Sequence, residues 1–416
     1  MELEEVFYTI AAGLDVHFAS VSACLVSTGT NKRLKLEEKS FPTTKKGLLS
    51  LRAWLEERHC EAVGMEATGV YWMPVYAALE GLCKLVVGNP QHMKALRGQK
   101  TDRMDARWIG GLVRHGRIKP SFVPPPEFRA ARRLARSRRQ LIQARTTIRN
   151  EIQRGLAESG ITLAALVSDV FGVSGMAILD ALAEGRSVLD ELPQCLKGRL
   201  KQKLAPIAAA LEAPLDDSSR FLLNMNLRRM EALEEHITSV EAEMFKVLAP
   251  HADKLRLLES IPGIARIAAA IILAEIGVDM TAWPTEKHFS VWAGVAPGCR
   301  ETGGKSKRAP VRKGNPYLCT ILMECANPAV KVRGCHLKPK YHKLCAQLGS
   351  KKKARMAIAH KLAVIIYRNL GQNLPYKEPT PKPPSEKTKR KILNSRVRDL
   401  ERLGYRVSIE PMESAS

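Results

Sequence analysis

Four carboxylates stand out by their place in the apolar pattern. Asp15 interrupts AAGLDVHFA, and Glu66 closes EAVGMEATG just before a Thr-Gly turn. An acid inside an apolar strand is costly unless it lies at a site edge or meets a cation. Acids at strand ends in an α/β sheet usually face a functional crevice. Asp102 and Asp105 in KTDRMDARWIGGL are three apart, on one face of a helix. They repel each other unless a cation intervenes, although Lys100, Arg103 and Arg107 could instead pair with them on a salt-bridged surface helix. Two acids on strands and two on a following helix could hold a pair of Mg²⁺ or Mn²⁺ ions, which stabilise attacking and leaving oxygens in phosphoryl transfer. His17 lies on the same side of its strand as Asp15, where it approaches the acid or simply packs. Glu61, Glu80 and the pair Glu56-Glu57 read as solvated charges.

A second chemical candidate is RETGGKSKRAPVRKGNPYL, with hydroxyls at Thr302 and Ser306 among Arg300, Lys305, Lys307, Arg308, Arg312 and Lys313. It reads as a basic loop able to grip phosphates. It is not a P-loop, because that motif needs glycine at position 299, which is Cys. Zinc is disfavoured: Cys319, Cys325, Cys335, His336, His342 and Cys345 include no C-x₂-C pair. The Pro-Gly hairpin over 260–276 resembles a helix-hairpin-helix whose amides bind phosphate. Its pattern, Gly263-Ile264-Ala265, lacks the usual second glycine, so an apolar helical corner fits as well.

The elements that must position these residues are legible in part. Residues 7–28 read as strand, turn, strand; 44–58 as a helix; 61–65 and 84–87 as short strands; 70–82 as a helix. Alternating strands and helices predict an α/β domain over 1–125, ending at FVPPPE. A helical segment over 126–250 begins with an Arg-rich helix, 128–157, that offers Arg132, Arg133 and Arg136 to nucleic acid. Within the next helix, 221–249, Met230, Leu233, Ile237, Val240, Met244 and Val247 alternate spacings of three and four. That is the seam of a coiled coil or helix pair, though packing on the domain's own core would read alike. A mainly α domain follows over 251–376, then a basic tail over 377–416 that reads as mobile, with a short helix near 388–403.

Charge narrows the partner. The 416 residues carry 66 Lys and Arg against 42 Asp and Glu, a net +24. The excess is concentrated: residues 94–154 hold 17 basic residues and four acids, and 302–370 hold 16 and one. Two such blocks predict a polyanion, with nucleic acid first. The longest apolar run, Ile267 to Ala274, is far short of the ~20 residues a membrane span needs. An acidic N-terminus and nine scattered cysteines predict a reduced cytoplasmic protein without a signal peptide.

The strings GLDVH, MEATGVYW and KTDRMDARWIGGLVRHG resemble the N-terminal domain of the DEDD transposases of bacterial insertion sequences, the insertion-sequence one-ten family. LESIPGIARIAAAIILAEIG, FSVWAGVAPGCRETGGKSKRAPVRKGNPYL and KKKARMAIAHKLAVIIYRNL resemble that family's C-terminal domain, and the likeness covers nearly all of residues 8–376. The resemblance implies a fold like RNase H and the resolvase RuvC. It implies a metal-binding tetrad of Asp15, Glu66, Asp102 and Asp105, and a coiled coil joining subunits into a dimer or tetramer. It also implies a bridge RNA that pairs with target and donor DNA, and a C-terminal serine that attacks DNA. Here the serine's position is Thr302, which carries the same hydroxyl with an added methyl; Ser306 fits the spacing less well. On this reading each α/β domain's metals work with another chain's hydroxyl loop. A resolvase-like nuclease using water, and a non-enzymatic nucleic-acid binder, are the competing readings.

Overall fold

The computed structural model describes residues 6–29, 33–90, 92–93, 105–212, 215–302, 305–380 and 386–409, and omits the side chains of 299–308, 387–388 and 391. The chain divides into two units, Met1–Pro124 and Pro125–Ser416. Among the described residues no helix is long and apolar enough to cross a membrane.

The first unit is one mixed sheet in the order β3-β2-β1-β4-β5. Its strands are β1 (Ala11–Val16), β2 (Ser20–Thr28), β3 (Leu34–Pro42), β4 (Ala62–Glu66) and β5 (Lys84–Gly88). The first three form an antiparallel meander, and β4 and β5 join it in parallel from β1. On one face Ala12, Leu14, Val63 and Met65 share a core with Leu51, Trp54 and Leu55 of helix α1 (Lys45–Glu57) and Val75 and Leu79 of α2 (Trp72–Leu79). Thr44 caps α1 by accepting from the Gly47 amide at 3.2 Å. On the other face Ala11 and Ala62 pack with Ile109, Leu112 and Val113 of α3 (Asp105–Arg114).

Strand β3 was not expected from the sequence. It is the outer strand, mostly exposed, and its LKLEEKSFP pattern carries the Lys and Glu that discourage edge pairing and mask a strand signal.

The second unit opens with α4 (Pro126–Glu158), whose first turn tolerates Pro126 because that amide needs no partner. The helix pairs antiparallel with α6 (Asp217–Leu248). Ion pairs fix the register: Arg138–Glu241 at 2.6 Å, Arg145–Glu234 at 2.5 Å and Arg229–Glu151 at 3.2 Å. The seam read from the sequence is therefore used within one chain, where Met230, Ile237 and Met244 are buried and Leu233, Val240 and Val247 half-buried. At one end of the pair Ile148, Ile152, Leu156 and Met230 join a core with Ile178 and Leu179 of α5 (Val173–Glu184).

The chain then builds a helical body from α7 (Ala252–Glu259), α8 (Arg266–Ile276) and α9 (Glu286–Trp292), followed by the antiparallel strands β6 (Gly298–Thr302) and β7 (Lys305–Ala309). Helices α10 (Pro316–Ala329), α11 (Leu337–Leu348) and α12 (Lys351–Gln372) complete it, and α13 (Glu386–Arg402) lies beyond. The Pro-Gly turn between α7 and α8 is set by packing. Gly263 has φ +85°, and a Cβ there would lie 2.5 Å from the Cys325 carbonyl oxygen and 2.6 Å from the Ala329 nitrogen of α10.

Candidate active site

The first unit gathers acids at one end of its sheet. Asp15 and Glu66 lie one step beyond the paired residues Leu14 and Met65 of the parallel strands β1 and β4. Alternate residues share a sheet face, so both acids continue the face that carries Ala11, Gly13, Ala62 and Gly64. Helix α3 covers this face closely, because a Cβ on Gly13 would lie 2.0 Å from the Ala106 oxygen and 2.2 Å from the Gly110 nitrogen. The helix runs antiparallel to β1: its end residue Arg114 accepts from the amides of Phe7 and Tyr8, just before β1 begins. Its first residue, Asp105, therefore lies at the end of the sheet that bears Asp15 and Glu66.

Local contacts orient two of these carboxylates. His17 Nε2 lies 2.8 Å from Asp15 Oδ2, and Thr68 Oγ1 donates to Glu66 Oε1 at 3.1 Å. His17 thus approaches the acid rather than packing in a core, with its side chain 63% exposed against 26% for Asp15. The oxygens of Asp15, Glu66 and Asp105 do not all lie within 4.8 Å of one another. Two ions about 3.5–4 Å apart would spread their ligands over a wider span than one ion does. Asp102, the fourth acid of the reading, lies outside the described residues, as does Lys100. Oxygen donors at the ends of strands suit a hard divalent cation. The loops that follow Asp15 and Glu66 also carry an exposed aromatic pair, Phe18 and Tyr71, with ring centroids 5.8 Å apart. Exposed rings of this kind are platforms on which nucleobases stack.

This packing supports a prediction. Gly13→Ala forces α3 off the sheet, and overpacking of this kind costs about 1–3 kcal/mol. The denaturation midpoint is expected to fall, and excision to fall with it as Asp105 is displaced. An unchanged midpoint with full excision would refute the close-packing argument.

In the second unit the segment read as a basic loop is instead a β-hairpin. Thr302, the last residue of β6, pairs with Lys305, the first of β7, across the two glycines 303 and 304. The glycines lie outside the described residues, as do the side chains of Arg300, Thr302, Lys305, Ser306, Lys307 and Arg308. Arg312 and Lys313 follow β7 and are exposed.

Two arginines expected at a nucleic-acid surface are turned inward. Glu275 on α8 is fully buried and accepts from Arg136 Nε and Nη2 at 2.9 and 3.0 Å, while Arg132 Nε lies 3.3 Å from it. Burial pulls the Arg132 guanidinium down to about 10, against the pull of Glu275, so it stays charged at neutral pH. Arg136 also stacks 4.1 Å from the Tyr317 ring centre. Of the three arginines, Arg133 is exposed. The sequence reading missed Glu275 because it ends a continuous apolar run, with nothing in its spacing to pair it with arginines over a hundred positions away.

Comparison with known proteins agrees on the class. Residues 12–160 match a family model described as transposase, of the DEDD IS110 type, and residues 255–342 match one described as the transposase IS116/IS110/IS902 family. A "Probable family 20 transposase" of Pseudomonas aeruginosa is 28% identical over 273 residues, 65% of this chain and 71% of the relative. A "Transposase for insertion sequence element IS1111A" of Coxiella burnetii is 25% identical over 325 residues, 76% of this chain and 79% of the relative.

The chain belongs to the IS110 family of transposases. The transposase is accordingly a DNA-processing enzyme, and the DEDD class to which it belongs implies a divalent metal. The first matched segment contains Asp15, Glu66, Asp102 and Asp105, and the second contains the hairpin with Thr302.

Proposed function

We propose that the transposase cuts and rejoins DNA by attack of the Thr302 hydroxyl on a phosphodiester, assisted by cations held by Asp15, Glu66, Asp102 and Asp105. What supports this reading is that Asp15 and Glu66 hold matching positions at the ends of the parallel strands β1 and β4, and that α3, which begins at Asp105, packs on the face they continue. Bound there, Mg²⁺ or Mn²⁺ would polarise the scissile phosphate and stabilise the attacking and leaving oxygens. Thr302 Oγ1 forms a bond to phosphorus and loses its proton, the bond to a deoxyribose oxygen breaks, and that oxygen gains a proton. Arg300, Lys305 and Arg308 offset the charge that gathers on the phosphate. Because the covalent link retains the bond energy, rejoining needs no nucleotide cofactor.

The order β3-β2-β1-β4-β5, an antiparallel meander joined in parallel by β4 and β5, supports an RNase H and RuvC-like unit. The two basic blocks suit a protein that holds DNA together with a bridge RNA, and the exposed Arg133, Arg312 and Lys313 would contact phosphates. Assembly of copies into a dimer or tetramer is what the family resemblance implies; the seam of α6 itself is taken up within one chain by α4.

The test compares Thr302→Ala with Thr302→Ser. Serine is expected to retain covalent protein–DNA adducts and strand rejoining, whereas alanine is expected to lose both. Metal-dependent cutting by the alanine protein at the wild-type rate, with no adduct in any variant, would replace this reading with a nuclease that uses water.

A further inference from the structure

Cys335, His336 and Glu378 offer a thiol, a ring nitrogen and a carboxylate oxygen that all lie within 4.8 Å of one another. Cys335 and His336 immediately precede α11, and Glu378 comes from the strand of chain that follows α12. Cys335 is buried, and His336 and Glu378 are partly exposed, so the cluster has both a shielded side and an entry path. His336 Nδ1 lies 2.7 Å from Glu378 Oε1, and the His336 amide donates to the same oxygen at 2.6 Å. The Tyr376 hydroxyl donates to Glu378 Oε2 at 2.9 Å and lies 3.0 Å from His336 Nδ1. Upstream, the Tyr376 amide donates to Ser260 Oγ at 2.8 Å, and Lys254 Nζ donates to Asn373 Oδ1 at 2.6 Å. The segment is therefore held to the helical body at its start, where the sequence predicted a mobile tail.

We propose that Cys335, His336 and Glu378 form a zinc site that clasps the tail to the C-terminal body. One thiolate, one imidazole and one carboxylate form a mixed set that favours a borderline-soft cation over Mg²⁺. Zinc bonds of about 2.0–2.3 Å place tetrahedral ligands roughly 3.3–3.8 Å apart. The cluster already has that scale, and the His336–Glu378 separation needs to open by about 1 Å or less. Three protein ligands leave a fourth position for water. The Tyr376 hydroxyl and the His336 amide orient the carboxylate, as partners of metal ligands commonly do. The sequence discouraged zinc because no two cysteines stood at ligand spacing. The third ligand is a glutamate 42 positions from the histidine, in a segment that read as tail. The site is independent of the carboxylates of the first unit.

The test uses the full-length chain, equilibrated with zinc and then passed over a weak chelator, with metal measured by elemental analysis. About one zinc per chain is expected for the wild type and for Asp15→Asn. Cys335→Ser and His336→Ala are expected to weaken binding at least about a hundredfold, and Tyr376→Phe about tenfold. Cobalt(II) is expected to give a thiolate charge-transfer band that is lost in Cys335→Ser. Glu378→Gln nearly preserves shape, so its loss of zinc alongside unchanged circular dichroism separates ligation from misfolding. Equal zinc in the wild type, Cys335→Ser and Glu378→Gln, or no thiolate band with cobalt, would overturn the site and leave a hydrogen-bonded clasp.

Discussion

Replacing Asp15 with asparagine is expected to reduce excision and integration at least about a thousandfold while leaving the fold intact. The substitution keeps size and an oxygen that can still face His17, but it removes the charge that a divalent cation requires. A metal contributes several kcal/mol of charge stabilisation in phosphoryl transfer, and about 4 kcal/mol corresponds to a thousandfold in rate. Asp15 is next to last in β1 and partly solvated, so the change in folding free energy is expected to stay within about 0.5 kcal/mol. The measurement is excision of a marked element with Mg²⁺ or Mn²⁺, beside a denaturant titration of the same preparation. Wild-type excision by the Asp15→Asn protein would remove the carboxylate from the reaction, and with it the role proposed for this end of the sheet.

The second large effect concerns stability. Glu275→Ala is expected to cost about 3–5 kcal/mol, because it leaves Arg132 and Arg136 with no anion in a buried setting. The loss also reaches the hairpin. Asn315 Nδ2 donates to Glu275 Oε2 at 2.7 Å, while Asn315 Oδ1 accepts from the amides of Tyr317 and Leu318 and caps α10. Asn315, the N-cap of α10, lies six residues after β7 ends, so the network anchors the chain that leaves the hairpin carrying Thr302. Removing the charges together, as Glu275→Leu with Arg132→Met and Arg136→Met, is expected to recover most of the loss, since apolar replacements of buried ion pairs are often neutral. Denaturant midpoints of the three proteins decide it. A loss below about 1 kcal/mol in Glu275→Ala would mean that the network is not a structural anchor.

The local features were readable because they depend on neighbours in sequence. Rough alternation marked β1 and β2, short apolar runs marked β4 and β5, and apolar residues at helical spacing marked α1, α4 and α6. The prolines at 124–126 marked the break between units. Strand β3 was missed because an edge strand with a polar face has little periodicity to read. The hairpin β6–β7 read as a loop because its residues are basic and two glycines interrupt it in sequence, while its order comes from cross-strand pairing. Arg132 and Arg136 looked like phosphate ligands because charge patterning counts cations without locating their partners.

By itself the sequence determined the candidates: which acids interrupt apolar strands, which hydroxyl lies among cations, and where positive charge is concentrated. Side-chain types and short spacings suffice for that, since they set local backbone preference and intrinsic reactivity. Only the tertiary structure decided that Gly13 lets α3 descend onto β1, with Asp105 beginning that helix at the end of the sheet where Asp15 and Glu66 lie. It also decided that Glu275 draws two arginines inward, and that Glu378 reaches Cys335 and His336. Each of these is a contact between distant segments, made only when burial of separate apolar faces brings those segments together.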